Sequence, residues 1–98
     1  MNNIYHFKSS IWRYKGDSPW HFVTINEEIS KEIKGNLLFK PKGFGSIPVN
    51  IKTGKTSWQT SIFPNIDKTY LLPIKKEIRQ KENLSIDILY SFTLTTLI

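Results

Sequence analysis

The sequence predicts a mainly β protein, a small closed barrel that carries two short helices. Three observations predict this fold class. Much of the chain alternates apolar and polar residues at the spacing of strands. One segment has the pattern of a tight hairpin, and a short apolar strand leading into an amphipathic helical turn occurs twice, 49 residues apart. With 98 residues, the chain is expected to form one small β-barrel domain, 1–98, with a single core.

The chain begins with strand-like segments. Residues 4–14 alternate apolar and polar side chains and are interpreted as one or two strands. The polar group at 15–19 contains Gly and Pro and predicts a turn. Residues 20–25, with the sequence WHFVTI, are aromatic and β-branched, which favours a second strand.

A short helix is predicted directly after the second strand. Asn26 stands where an N-cap belongs, and two glutamates follow in the first turn, where carboxylates suit the helix dipole. Isoleucines recur every four residues, so we expect an amphipathic helix over 27–34 that Gly35 ends. A short strand, 37–39, and a loop rich in Pro and Gly, 40–45, are expected next.

The following hairpin has a register that its apolar residues determine. We expect Gly54 and Lys55 to form a two-residue loop of type II′, because glycine suits its first position. In that register Ile51 faces Trp58 in the core, and every large apolar group except Phe63 lies on one face. A three-residue loop would mix the faces and forfeit burial of about 1.5–3 kcal/mol per large side chain. The other expected pairs are Thr53 with Thr56, Val49 with Thr60 and Ile47 with Ile62.

The second half of the chain repeats the strand–helix pattern. Residues 70–72 are a predicted strand, Pro73 is expected at the first helical position, and the helix continues to about Glu82. Residues 86–95 form the predicted final strand. The offset of 49 relates Phe22 to Leu71, Val23 to Leu72, Ile25 to Ile74, Glu28 to Glu77 and Ile29 to Ile78.

The charge balance allows two interpretations. A formal net charge of +6 favours an anionic partner such as nucleic acid, because summed positive charge attracts polyanions. However, nearly all of the basic residues are lysines and alanine is absent, a bias that resembles genome composition. Phosphate recognition by geometry would favour arginine. The charge is therefore either a binding feature or a compositional one.

Several classes of site have no support in the sequence. The absence of cysteine excludes thiolate zinc sites, disulfides and thiol nucleophiles. His6 and His21 lie in strand-like alternation without companion carboxylates, so no metal and no cofactor is expected. No signal peptide and no run of about 18 apolar residues is present, so a cytoplasmic protein without a membrane partner is expected.

The start of the second helix is the strongest candidate for binding. Its cations oppose the helix dipole, and together with backbone N–H groups they could bind a phosphate, a carboxylate or a nucleic-acid backbone. The alternative is that exposed lysines there only keep the protein soluble. The polar face of the hairpin, opposite Trp58, would extend this surface if the second helix packs near it. The predicted ligand-binding residues are Lys75, Lys76, Arg79, Ser57, Gln59 and Ser61.

Four motifs connect the chain with a known family. They are WHFV at 20–23, GFGSI at 43–47, SWQTSIFP at 57–64, and YLLPIKK at 70–76 followed by Arg79. With these motifs the chain resembles, over nearly its whole length, the bacterial family called domain of unknown function nineteen-oh-five. The resemblance implies a double-split β-barrel akin to those of swapped-hairpin transcription regulators, and it implies no activity. Members often carry Gly-Asp near the last strand, where this chain has Ile86 and Asp87.

Three hypotheses about function follow. The first is a non-enzymatic binding or regulatory module that recognises an anionic ligand, or a protein partner, through the basic helix start and the hairpin face. The second is a nucleic-acid-binding protein like the swapped-hairpin regulators, which would need a dimer. The third is a small enzyme of unknown reaction, for which the candidate acids are the scattered Asp17, Asp67 and Asp87. The sequence leaves the oligomeric state open.

Overall fold

The computed structural model describes residues 3–41 and 43–98, which form a closed antiparallel barrel of six strands with two helices. The elements are β1 (Ile4–Arg13), β2 (His21–Ile25), α1 (Glu27–Gly35), β3 (Ile47–Thr53), β4 (Thr56–Pro64), β5 (Tyr70–Pro73), α2 (Lys76–Lys81) and β6 (Leu89–Thr96). Around the barrel the strands follow the order β1-β2-β5-β4-β3-β6. The predicted fold class, mainly β with a closed barrel and two short helices, is confirmed. Neither helix is long and apolar enough to cross a membrane.

The barrel consists of two β-β-α-β units, β1-β2-α1-β3 and β4-β5-α2-β6. The starts of β2 and β5, at His21 and Tyr70, are 49 residues apart, and the starts of α1 and α2 have the same separation. Exchanging the two units leaves the barrel order unchanged. β2 and β5 pair with Val23 opposite Leu72, which are themselves 49 apart. A pseudo-two-fold axis therefore passes between these strands, and we call residues 49 apart equivalent.

The core fills the barrel interior with one side of each strand. Fully buried isoleucine, valine and leucine side chains alternate with outward-facing residues, as the period of a strand requires. α1 adds Ile33, which is fully buried, and its start is capped by the Asn26 side chain, which accepts the Ile29 N–H at 2.8 Å. The predicted N-cap is confirmed, and the helix extends one residue further than the predicted 27–34.

The hairpin register is confirmed at every predicted pair. Ile51 pairs with Trp58, and the neighbouring inward pairs follow in step from Thr53 and Thr56. Gly54 has φ of 57°, the left-handed conformation that the first position of a type II′ turn requires. Trp58 is half-buried and packs against the core, so its predicted core position is confirmed.

The predicted strand at 37–39 is wrong. The segment is irregular, and Leu38 and Phe39 are 63% and 69% exposed. The physical reason is the closed barrel, in which each strand is paired on both sides and no edge is left for a further strand. Of the predicted loop at 40–45, Lys42 lies outside the described residues.

Two boundaries in the second half also differ from prediction. Pro73 is the last residue of β5 rather than the first of a helix, and α2 begins three residues later. Pairing with β2 overrides the local helical preference, because Pro73 lies opposite Phe22 and the Ile74 N–H donates to His21 O at 2.9 Å. The final strand begins at Leu89 rather than residue 86, because the chain first turns at Asp87, whose φ is 65°.

Candidate functional site

Lys75, Lys76 and Arg79 line one cleft of about 320 Å³ at the start of α2, which we call the α2 cleft. Its opposite wall is formed by Trp20 and His21, at the start of β2. The pairing of β2 with β5 brings these segments together, since α2 follows β5 directly. Three of the six predicted ligand-binding residues are thus neighbours. Trp20 and His21 were missed, because their sequence pattern indicates only a strand.

Arg79 lines the α2 cleft and is half-buried. Its Nη1 is 3.3 Å from His21 Nε2, and its Nε donates to the Ile74 carbonyl at 3.4 Å. The Pro19 carbonyl lies 2.8 Å from His21 Nδ1. Because a carbonyl can only accept, Nδ1 carries the proton, and Nε2 accepts from Arg79. The imidazole therefore orients the guanidinium.

The positive charge of the α2 cleft comes from side chains. Lys75 and Lys76 are exposed, and no carboxylate pairs with them or with Arg79 in the described part of the chain. Lys75 occupies the N-cap position without a side-chain hydrogen bond to the helix. α2 has only six residues, fewer than two turns, so its dipole contributes little to the field. The start of α2 therefore contributes to the cleft through its lysine side chains rather than through its backbone N–H groups.

An equivalent cleft of about 340 Å³, which we call the α1 cleft, lies between α1 of the first unit and the β4–β5 segment of the second. Its lining includes Glu27, Ser30, Lys31, Lys34, Lys68 and Tyr70. Three lysines thus surround this cleft, as three cations surround the α2 cleft. Burial raises the pKa of the Tyr70 phenol, which therefore stays neutral. The two clefts are alike in size and in the number of cations, but one lining position carries different polar groups in the two clefts.

That position is Ser30 in the α1 cleft and its equivalent Arg79 in the α2 cleft. Ser30 is buried, donates to the Ile25 carbonyl at 2.9 Å and accepts the Tyr70 N–H at 3.1 Å. Ile25 and Tyr70 are the equivalents of the two residues that Arg79 contacts. Equivalent positions are therefore bridged in both clefts. In the α1 cleft the bridge uses up the hydroxyl, whereas in the α2 cleft it leaves a guanidinium with further donors.

The remaining predicted ligand-binding residues lie elsewhere. Ser57, Gln59 and Ser61 point outward from β4, opposite Lys52, Asn50 and Pro48 of β3. The first two are exposed and Ser61 is half-buried. Among the described residues that line the α1 and α2 clefts, none of these three is present. The structure thus separates the polar hairpin face from the basic cleft.

The aspartates considered as possible catalytic acids lie in three separate places. Asp17 is in the β1–β2 loop, Asp67 is in the β4–β5 loop, and Asp87 precedes β6, all exposed. Hydrogen bonds from the Thr69 hydroxyl and N–H lower the pKa of the Asp67 carboxyl. Within 3–41 and 43–98, no three His, Cys, Asp or Glu side chains are grouped to hold a metal ion. The aspartates do not converge on a common site.

A further hollow, of about 580 Å³, lies beside the loop after α1. Its walls include Leu38, Phe39 and Phe44, all exposed, with Lys34 and Lys40 as the cations. Both lysines are exposed rather than half-buried, so this hollow has no counterpart to Arg79. The α2 cleft is the better candidate for binding an anion.

Fold and site together define a small barrel-domain protein, built from two related units, with a basic cleft at the start of the second helix that residues of both units line. Residues 7–94 match the sequence model of the family described as Domain of unknown function (DUF1905), and the chain belongs to that family. The resemblance noted from the motifs is confirmed. None of the curated proteins compared with the chain matches it. The family description names no activity, so the function must be argued from the site.

Proposed function

We propose that this protein is a non-enzymatic binding module that holds an anionic group in the α2 cleft. The observation that carries the proposal is Arg79, a half-buried guanidinium without a carboxylate partner among the described residues. Removing a charge from water costs free energy unless an opposite charge or hydrogen bonds compensate it. A ligand anion supplies that compensation at Arg79.

The cations of the cleft suit different parts of such a ligand. The planar guanidinium of Arg79 can donate two parallel hydrogen bonds to a phosphate or a carboxylate. Its contact with His21 Nε2 holds it in place before the ligand arrives, which lowers the entropic cost of binding. Lys75 and Lys76 add mobile point charges at the rim. The arrangement favours an anion with several oxygens over a lone halide.

The α1 cleft explains why position matters more than charge count. Its Ser30 hydroxyl is already bonded to two backbone groups, so it has little to offer a ligand. Each cleft also has one glutamate in its lining, Glu27 in the α1 cleft and Glu77 in the α2 cleft, so the carboxylates do not distinguish them. We therefore assign binding to the α2 cleft alone.

The test is a titration of the protein with pyrophosphate. Binding is monitored through the NMR chemical shifts of the backbone amides and of the Arg79 Nε–H. We expect the shifts to cluster around the α2 cleft and to vanish in K75Q/K76Q/R79Q. The matched control K31Q/K34Q/K68Q removes three cations from the α1 cleft and is expected to bind pyrophosphate like the wild type. Thermal unfolding of both variants verifies that they are folded. Equal loss of binding in the two variants would show a non-specific charge effect and refute the proposal.

A further inference from the structure

An aromatic surface adjoins the α2 cleft on the outside of the barrel. It is formed by Trp12, Tyr14, Trp20, Phe22, Phe63 and Leu71, which we call the aromatic face. Trp20, Tyr14 and Phe63 are 56%, 54% and 43% exposed. A shallow groove of about 260 Å³ runs between them, and its surface is almost entirely apolar. Exposed aromatic side chains that lie together in this way are typical of surfaces that bind a partner.

The rings of the aromatic face are held in defined positions around Phe22. Trp20 stacks on it with the ring planes 7° apart and the centroids at 5.9 Å. Trp12 lies against Phe22 at 5.3 Å, and its indole N–H donates to Thr24 Oγ1 at 2.9 Å. Tyr14 meets Phe22 edge-on at 6.3 Å. The face therefore offers preformed π surfaces rather than loose side chains.

Trp20 joins the aromatic face to the basic cleft, because it lines both of them. In the other unit the equivalent residue is Thr69, which is buried and donates to the Asp67 carboxylate. The position equivalent to the exposed indole of the α2 cleft is thus a buried, carboxylate-bonded threonine, which is not part of the α1 cleft lining. The α2 cleft therefore combines an exposed aromatic ring with its cations, whereas the ring in the α1 cleft, that of Tyr70, is buried.

We infer that the anionic ligand is a single-stranded nucleic acid, whose bases stack on the aromatic face while its phosphates pair with Lys75, Lys76 and Arg79. This inference rests on the proposed function. Every base has a π face, and stacking on aromatic side chains beside a basic groove is the general mode of single-strand recognition. A duplex hides the faces of its bases, so it could use the cations alone. The net charge of +6 adds long-range attraction to a polyanion.

The test is fluorescence anisotropy with end-labelled oligodeoxythymidylate of about 10 nucleotides and with a duplex of the same length, at about 50 and 200 mM salt. We expect the single strand to bind at least about 10-fold more tightly than the duplex. W20A and Y14A, each at a side chain more than half exposed, are expected to weaken single-strand binding by about 5- to 100-fold. F44A removes an exposed aromatic ring outside the face and serves as the matched control.

The cations have their own readout in the same experiment. K75Q/K76Q/R79Q is expected to reduce the slope of log affinity against log salt by about 2, since each single-strand phosphate contact contributes roughly 0.7. K31Q/K34Q/K68Q is expected to change that slope much less. Equal binding of duplex and single strand, or unchanged binding in both W20A and Y14A, would overturn the inference.

Failure of the inference can be told apart from failure of the proposed function. If pyrophosphate binds the α2 cleft but the oligonucleotide does not, the cleft holds a smaller anion and the nucleic-acid inference falls alone. If neither binds, both fall. If sedimentation shows a dimer that W20A dissociates, with no oligonucleotide binding by the wild type, a second copy of the chain covers the aromatic face and the inference is wrong.

Discussion

The two β-β-α-β units of the barrel share a topology but differ in the chemistry at equivalent positions. The N-cap of α1 is Asn26, which bonds the helix, and the N-cap of α2 is its equivalent Lys75, which does not. Ser30 closes an internal bridge, whereas its equivalent Arg79 keeps donors for an outside partner. At both positions, the residue near α1 forms hydrogen bonds within the protein, whereas its equivalent near α2 lines the α2 cleft. The difference supports the proposal that the polar groups around α1 stabilise the barrel, while those of the α2 cleft, which residues of both units line, bind the ligand.

At the pseudo-two-fold axis the two units contribute equivalent residues to the core, so we expect them to be alike there. Disrupting the core at this axis should have the largest effect on the free energy of unfolding. Leu72 and Val23 are fully buried register partners. We expect Leu72→Ala to lower the free energy of unfolding by about 2–5 kcal/mol, because it removes buried methyl groups and leaves a cavity. Urea denaturation measures this change.

The exchange V23L/L72V provides the control, because it preserves the summed side-chain volume of the pair. We expect it to cost less than about 1.5 kcal/mol. A loss as large as that of Leu72→Ala would mean that the two units are not interchangeable even at their shared axis.

Substitutions at the equivalent residues Ser30 and Arg79 should differ most clearly in what they change. Their effect on the free energy of unfolding should be smaller than that of Leu72→Ala. Ser30→Ala should cost about 1–3 kcal/mol of unfolding free energy, because the buried Tyr70 N–H loses its acceptor. Arg79→Ala should cost about 1 kcal/mol or less, since the side chain is only half-buried, while it removes pyrophosphate binding. Urea denaturation and the NMR titration measure the two effects. A reversed order, with Arg79→Ala the more destabilising, would contradict the division of roles.

The sequence was most informative where short-range chemistry decides the structure. The hairpin register, the Asn26 cap and the repeat offset all follow from neighbouring residues or from a fixed period. The prediction that Pro73 starts a helix was wrong because its pairing with Phe22, about 50 positions away in the chain, outweighs its preference for a helix start. The same long-range pairing of β2 with β5 brings Trp20 and His21 to the α2 cleft, so the sequence alone did not predict them as site residues. Lys75, Lys76 and Arg79 could be predicted as a basic group, but the contact of Arg79 with His21 depends on the barrel.

The N-caps provide the smallest and most specific test of the comparison. Asn26 and Lys75 have nearly the same backbone conformation, with φ of −58° and −65° and ψ of 161° and 152°. Asn26→Ala should lower the free energy of unfolding by about 0.5–2 kcal/mol, because α1 loses its cap.

Lys75→Asn should instead stabilise the protein by up to about 1 kcal/mol, since an asparagine in that conformation can accept an N–H at the start of α2. The same change should weaken pyrophosphate binding, because it removes a cation from the α2 cleft. Thermal unfolding and the NMR titration measured on one sample of Lys75→Asn decide the matter. A gain in stability together with a loss of binding would show that lysine is kept there at the expense of the helix, whereas unchanged binding would remove Lys75 from the site.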